Sequence, residues 1–233
     1  MKLYMICFSR PLIWQLVKNR VLAGVEHKEI LNRKIQTVVD IGANKGQFSL
    51  AASEYTDAKI YAFEPLPDPA RTFRKVFHDR KNVRLFEYAI SDKSGTTEMH
   101  ISGKEDSSSL LKIGELQSEH FPGTQEVGTV QIESAPLINF IASDDLTETS
   151  LLKLDVQGFE LQALKGCQPL LSQFSYIYCE CSYIALYEGQ ALVTEVITFL
   201  ENSGFQLSGV YNTQVDHLGN HIQADFMFSN KAS

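Results

Sequence analysis

The chain is poor in cysteine, the residue of zinc sites and disulfide frameworks, with four in 233 residues. Cys7, Cys167, Cys179 and Cys181 show no CxxC spacing and no neighbouring histidine pair, which argues against a zinc site. Cys179 and Cys181 alternate on an expected strand and face one way, an arrangement for packing in a reducing cytoplasm rather than for bridging. Positive charge is also scarce. Lys and Arg number 21 against 28 Asp and Glu, a net charge of −7. Sequence-independent nucleic-acid binding needs many Lys and Arg contacts to phosphate, so small molecules or carbohydrate are the expected partners.

Long apolar runs are missing too. Leu3 to Phe8 is interrupted by Ser9-Arg10-Pro11 before Leu12 to Val17 resumes, and neither half reaches the length of a membrane helix. No small-residue cleavage site follows. With Lys2, Arg10, Lys18 and Arg20 interspersed, the segment allows weak association with a membrane surface, although an N-terminal helix packed on the domain is the preferred reading. Internal repeats and low-complexity tracts are absent.

What is present is a globular composition, 44% hydrophobic and 21% charged, at a length suited to one α/β domain. Residues 1–34 read as a helical extension and residues 35–233 as the domain. At its start, Thr37 to Ile41 is a β-branched run that reads as a buried strand. Gly42 and Gly46 then turn the chain into an amphipathic helix through Phe48 and Leu50. Such a turn is a nucleotide cradle. Asp40 decides which nucleotide, because a carboxylate at the helix mouth repels a pyrophosphate but attracts a sulfonium and an ammonium. Asn44 also stands where the dinucleotide fingerprint needs its second glycine. About twenty residues on, Lys59 to Phe63 reads as a second strand ending in Glu64, placed to accept hydrogen bonds from ribose hydroxyls. The order favours an adenosine-type cofactor without phosphate, S-adenosylmethionine.

Downstream, Pro67-Asp68-Pro69 opens a helix and Asn82 to Ile90 reads as a third strand. Gly95 to Ile101 and Gly128 to Glu133 read as strands around a long connection, Gly103 to Gly123, expected to be either a lid near the substrate or disordered. A short helix is expected over Leu137 to Ala142, a strand over Ser150 to Val156, and a helix from Gly158 to Leu171 that Gly166 and Pro169 shorten. The remaining expectations are a strand from Phe174 to Cys181, a helix from Leu192 to Asn202, and antiparallel strands Phe205 to Tyr211 and Ile222 to Phe228. The pattern predicts a Rossmann-like doubly wound α/β fold, with seven mostly parallel strands, an antiparallel last strand and helices on both faces.

Six blocks in order, Asp40-Ile41-Gly42-Ala43-Asn44-Lys45-Gly46, Phe63-Glu64-Pro65, Ala89-Ile90-Ser91-Asp92, Lys153 to Glu160, Tyr187-Glu188-Gly189-Gln190 and Asp225-Phe226-Met227-Phe228, resemble the FkbM family of class I methyltransferases. The resemblance spans about residues 37 to 228. It implies methyl transfer from S-adenosylmethionine, usually to a hydroxyl on a sugar, glycan or secondary metabolite. It also implies that Asp40, Gly42, Asn44 and Gly46 hold the methionine part, that Glu64 holds the ribose, that Ala89 and Ile90 lie at the adenine, and that Pro65 belongs to the same cofactor site. Gln157 departs from the glutamate common in the family's Lys-x-Asp-x-Glu-Gly block.

Transfer to oxygen needs alignment and removal of the hydroxyl proton. Asp155, near the end of its strand, is the first candidate for base or hydroxyl anchor, followed by Glu180 and then Lys153, which shares the parity of Asp155 and is placed to pair with it. Glu160 is a weaker candidate, since the helix dipole alone favours an acid there. Asp155 and Glu180 as Mg²⁺ ligands are a minor alternative, and no metal site is expected. Tyr183, Tyr187 and Glu188 fall on the expected rim, with packing as the equal alternative. All six histidines read as surface residues, with His217 and His221 closest to the expected pocket. The rival readings are an NAD-dependent oxidoreductase and a cofactor- or glycan-binding subunit without turnover.

Overall fold

A computed structural model describes residues 21–146 and 149–232. The membrane-surface reading of residues 3–17 and the Cys7 thiol lie outside these residues. Within the described part of the N-terminal extension, a helical turn at Val25–His27 and the helix α1 (Lys28–Leu31) pack on the domain through buried Val21, Ile30, Leu31 and Ile35. No helix among the described residues is long and apolar enough to cross a membrane.

The strand β1 (Thr37–Ile41) is buried at every position, as its β-branched run demands of a central strand. It pairs in parallel with β2 (Lys59–Phe63), which pairs in parallel with β3 (Val83–Phe86). The chain order gives two further strands first: β4 (Ala89–Ile90) and β5 (Gly95–Ser102), followed by β6 (Glu126–Ala135). Then β7 (Ser150–Leu154) returns to lie beside β1, β8 (Tyr176–Ser182) lies beside β7, and the hairpin β9 (Phe205–Val215) and β10 (His221–Asn230) closes the sheet. The seven-stranded order is β3-β2-β1-β7-β8-β10-β9, with β10 antiparallel to both neighbours.

Helices cover both faces. On one side α2 (Gln47–Tyr55) and α3 (Pro67–Val76) bury Phe48, Leu50, Phe73 and Val76 against Val38, Ile60 and Leu151. On the other, after the short helix α4 (Glu115–His120), α5 (Glu160–Leu171) and α6 (Val193–Asn202) bury Leu164, Leu170, Val196 and Leu200 against Val39, Leu152 and Ile177. Alternate strand residues thus serve two cores, each large side chain contributing about 1.5–3 kcal/mol on burial.

Four expectations are corrected. The strand expected over 82–90 divides, because the β2–β3 ladder ends at Phe63 and Phe86 and the next N–H on that edge, that of Leu66, bonds to the Glu64 carboxylate instead. Ala89 and Ile90 then pair with Ser134 and Ala135 in a separate three-stranded sheet, β4-β6-β5. The 103–123 connection is ordered: it contains α4, and isolated bridges tie Ser109 to His100 and Ile113 to Tyr187. Gly166 and Pro169 do not shorten α5, which runs through both to Leu171. The expected helix at 137–142 is a single turn, Leu137–Asn139.

Candidate active site

In-register neighbours in a sheet point to the same face. Asp40 on β1 pairs with Lys153 on β7, and Lys153 with Tyr178 on β8. Two residues further on, Glu180 on β8 pairs with Asp225 on β10, and Asp155 stands just past the end of β7. The strand alternation therefore lays two polar rows on one face, at the carboxyl ends of the parallel strands, where ligands bind in doubly wound sheets. A cavity of about 540 Å³ opens there.

Gly42, Asn44, Glu64, Pro65, Ala89, Ile90, Lys153, Asp155 and Glu180 all line this cavity. Gly42 has φ +80° and its backbone lies against the carbonyl of Asp155, where a Cβ would sit 1.9 Å from the oxygen. Only glycine fits, and the turn after β1 is thereby pressed onto the end of β7. Asp40 and Gly46 do not line the cavity. Asp40 is fully buried, accepting a hydrogen bond from Ser49 Oγ at 2.7 Å, with Oδ1 facing Lys153 Nζ at 3.5 Å. Gly46, at φ +92°, starts α2 under the rings of Phe73 and Phe77, so its small size serves packing between α2 and α3.

At one end of the cavity, Glu64 accepts the backbone N–H of Asn44 at 2.9 Å and of Leu66 at 2.8 Å. Burial pushes its carboxyl up to about 7 against the pull of those two donors. Each oxygen keeps a lone pair for a vicinal diol. At the other end, Asp155 is the most open of the charged residues on the rows, its side chain 36% exposed. Lys153 Nζ lies 3.4 Å from Asp155 Oδ2. Burial works against the ammonium, but Asp155, Asp40, Asp225 and Glu180 together hold its pKa above the ordinary lysine value. Gln157, at φ +54°, donates through Nε2 to Asp155 Oδ1 at 2.7 Å and to Glu180 Oε2 at 3.1 Å, while Gln223 donates to Glu180 Oε1 at 2.9 Å. Two carboxylates facing one position need a donor between them, which an amide supplies and a third carboxylate does not. Burial holds the Glu180 carboxyl well above its ordinary range, with the charges of Asp155 and Asp225 adding to the effect.

The remaining candidates are placed as follows. Glu160 does not line the cavity; it accepts the N–H groups of Val156 and Gly158 and so shapes the turn that carries Gln157. Tyr187 is buried, its hydroxyl lying 2.8 Å from Gln157 Oε1 and 3.0 Å from the Ser107 carbonyl, and Glu188 pairs with Lys112. Tyr183 packs against His221 and Phe226, and neither His217 nor His221 lines the cavity. The histidine that does is His27, contrary to the surface reading, because the turn before α1 folds it onto Phe48 and Tyr178. Asn212, Gln214, Gln223 and Asp225 line the same end, and the 103–123 connection supplies Lys104, Ser108, Leu110 and Gln117. Asp225 was within reach of sequence reasoning, since an antiparallel neighbour of the strand holding Glu180 must place some residue opposite it. His27 carried no signal.

This strand order, with a glycine turn after β1 and a buried acid after β2, defines a class I methyltransferase fold. Residues 40–207 match the methyltransferase FkbM domain, and the chain belongs to the FkbM methyltransferase family. It is similar to the 2-O-methyltransferase NoeI of Sinorhizobium fredii, 29% identical over 184 residues that cover 75% of this chain and 76% of that one. It is also similar to the hexuronic acid methyltransferase AglP of Haloferax volcanii, 30% identical over 151 residues covering 60% of this chain and 54% of the other. Among solved structures, TehB of Haemophilus influenzae shares the fold, with a TM-score of 0.53 at 9% identity, over 95% of this chain and 67% of TehB. The protein is an S-adenosylmethionine-dependent methyltransferase, which sets aside the oxidoreductase and non-catalytic readings.

Proposed function

We propose that the enzyme is an O-methyltransferase acting on a hydroxyl of a sugar or glycan. The observation that carries this is the lining of a single cavity, with a diol-binding carboxylate, Glu64, at one end and the Asp155, Glu180, Gln223, Asn212 group at the other. Planar carboxylates and amides at that second end are the groups that recognise a polyol, and the 2-O-methyltransferase NoeI and the hexuronic acid methyltransferase AglP agree with it. S-adenosylmethionine, when bound, supplies a methyl group on a positively charged sulfur. In this reading Glu64 holds the ribose hydroxyls, Gly42 and Asn44 present backbone to the methionine part, and Pro65, Ala89 and Ile90 enclose the adenine. Asp40 acts from behind the wall, by fixing Lys153 and the start of α2. Asp155, beside Gly42, anchors the acceptor hydroxyl with Glu180 and Lys153. Three buried thiols, Cys167, Cys179 and Cys181, with Cys179 and Cys181 sulfurs 3.6 Å apart and unbridged, support action in a reducing cytoplasm.

Two measurements test the reading. Calorimetry should show S-adenosylhomocysteine binding that is lost on combining Asp40→Ala with Glu64→Ala; undiminished binding would refute the cofactor site. Donor consumption over a panel of glycosides should show turnover with at least one sugar, and turnover confined to non-carbohydrate acceptors would refute the acceptor class.

A further inference from the structure

Resting on that reading, we propose that His27 is the general base that takes the proton of the acceptor hydroxyl. The ring lies on the cavity wall, 5.2 Å from the Phe48 ring and edge-on to Tyr178 at 5.5 Å. Its Nδ1 is 3.1 Å from the Tyr178 hydroxyl. That hydroxyl has one proton, and it is donated to Asp225 Oδ2 at 2.9 Å, a charge-assisted bond. Asn212 Nδ2 donates to the same two oxygens, at 3.1 Å to Tyr178 and 2.7 Å to Asp225. The Tyr178 oxygen is therefore left as an acceptor towards the imidazole, so Nδ1 carries the hydrogen and Nε2 has a bare lone pair.

The surroundings suit a base. Burial, helped by the charge of Lys153, lowers the imidazole pKa against the pull of Asp225, Glu26 and Asp155, which keeps the ring neutral at pH 7. Glu26 Oε1 lies 3.4 Å from Nε2 on a half-exposed side chain, where it stabilises an imidazolium and leads the proton to water. Asp155 is differently equipped: both of its oxygens already accept bonds, from Gln157 and Lys153, which suits it to hold the acceptor in place. In the step, the hydroxyl O–H bond breaks and the proton goes to Nε2. The oxygen's electron pair forms the new O–C bond, the C–S bond breaks with its pair kept by sulfur, and the sulfonium becomes a neutral thioether. Nothing is oxidised or reduced.

The test begins with ¹⁵N spectra of the imidazoles, which do not depend on knowing the acceptor. A neutral His27 ring protonated on Nδ1 is expected, shifting tautomer in Tyr178→Phe; an Nε2–H tautomer would overturn the proposal. With any acceptor the native enzyme methylates, kcat at saturating donor should fall as pH drops through the His27 pKa, below about 6.5. His27→Gln should lower kcat by about 10²–10⁴-fold and abolish that acid limb, with S-adenosylhomocysteine affinity unchanged. In His27→Ala, added imidazole should restore part of the rate. A His27→Gln enzyme within threefold of native kcat, or one that keeps the limb, would refute the role while leaving the methyltransferase reading intact; absence of native turnover on every sugar would instead count against the acceptor class.

Discussion

Glu64 shows how one carboxyl can be both built in and tuned. It is 5% exposed, bonded to two backbone amides, and pushed up to about 7 by burial. Ribose hydroxyls donate to the ionised form, so binding favours the deprotonated carboxylate and releases a proton from the protonated fraction. The sign follows: affinity for S-adenosylhomocysteine should rise with pH up to about 7 and level off above. A roughly tenfold weaker Kd at pH 6 than at pH 8 is expected by calorimetry, and Glu64→Gln should flatten the dependence at a lower affinity. Equal affinity of the native enzyme at both values would contradict it. Asp40, Glu64 and Asp155 were all legible as acids near the carboxyl ends of strands, because apolar runs mark where each strand stops. Their division of labour was not: Asp40 is a buried support and Asp155 an open cavity residue, and only the packing of Ser49 and Lys153 over Asp40 makes that difference.

At the level of elements, the contact between the turn after β1 and the end of β7 fixes the cavity floor. Gly42→Ala would place a methyl carbon 1.9 Å from the Asp155 carbonyl oxygen in a left-handed backbone. The variant should lose at least about 3 kcal/mol of stability, or open that contact and lose cofactor binding; thermal melting with and without S-adenosylhomocysteine would register either, and a native melting curve with native binding would not fit. The main strands were foreseen because apolar runs, turn residues and helix starts agree there. The second sheet was not, since the end of a ladder depends on a partner strand: Ala89 and Ile90 look like a continuation of β3 until the Leu66 N–H is seen to turn to Glu64. The order within 103–123 was equally hidden, because Ser109 bonds to the Gln157 carbonyl and Tyr187 to the Ser107 carbonyl across long sequence distances.

Across the molecule, the polar rows join four strands of one sheet through a single cation. Lys153 is 7% exposed between Asp40 and Asp155. Lys153→Met should lower stability by about 3–5 kcal/mol, because Asp40 would remain buried without its cation. Adding Asp40→Asn should return much of the loss, since an amide oxygen still accepts from Ser49. Urea unfolding of the two single variants and the double variant supplies the cycle, and strict additivity would show that the pair is not coupled.

Residues 91–135, beyond the donor-side Ala89 and Ile90, lie outside the main sheet, and β7 takes its place beside β1 without drawing any seven-strand pairing from them. Length and sequence in that excursion can therefore drift while every ladder beneath it stays intact. A lineage could retune what enters from above, through positions such as Lys104, Leu110 and Gln117, on an unaltered foundation for the donor. Grafting this excursion between relatives is thus a natural unit of exchange for engineering new acceptor preferences.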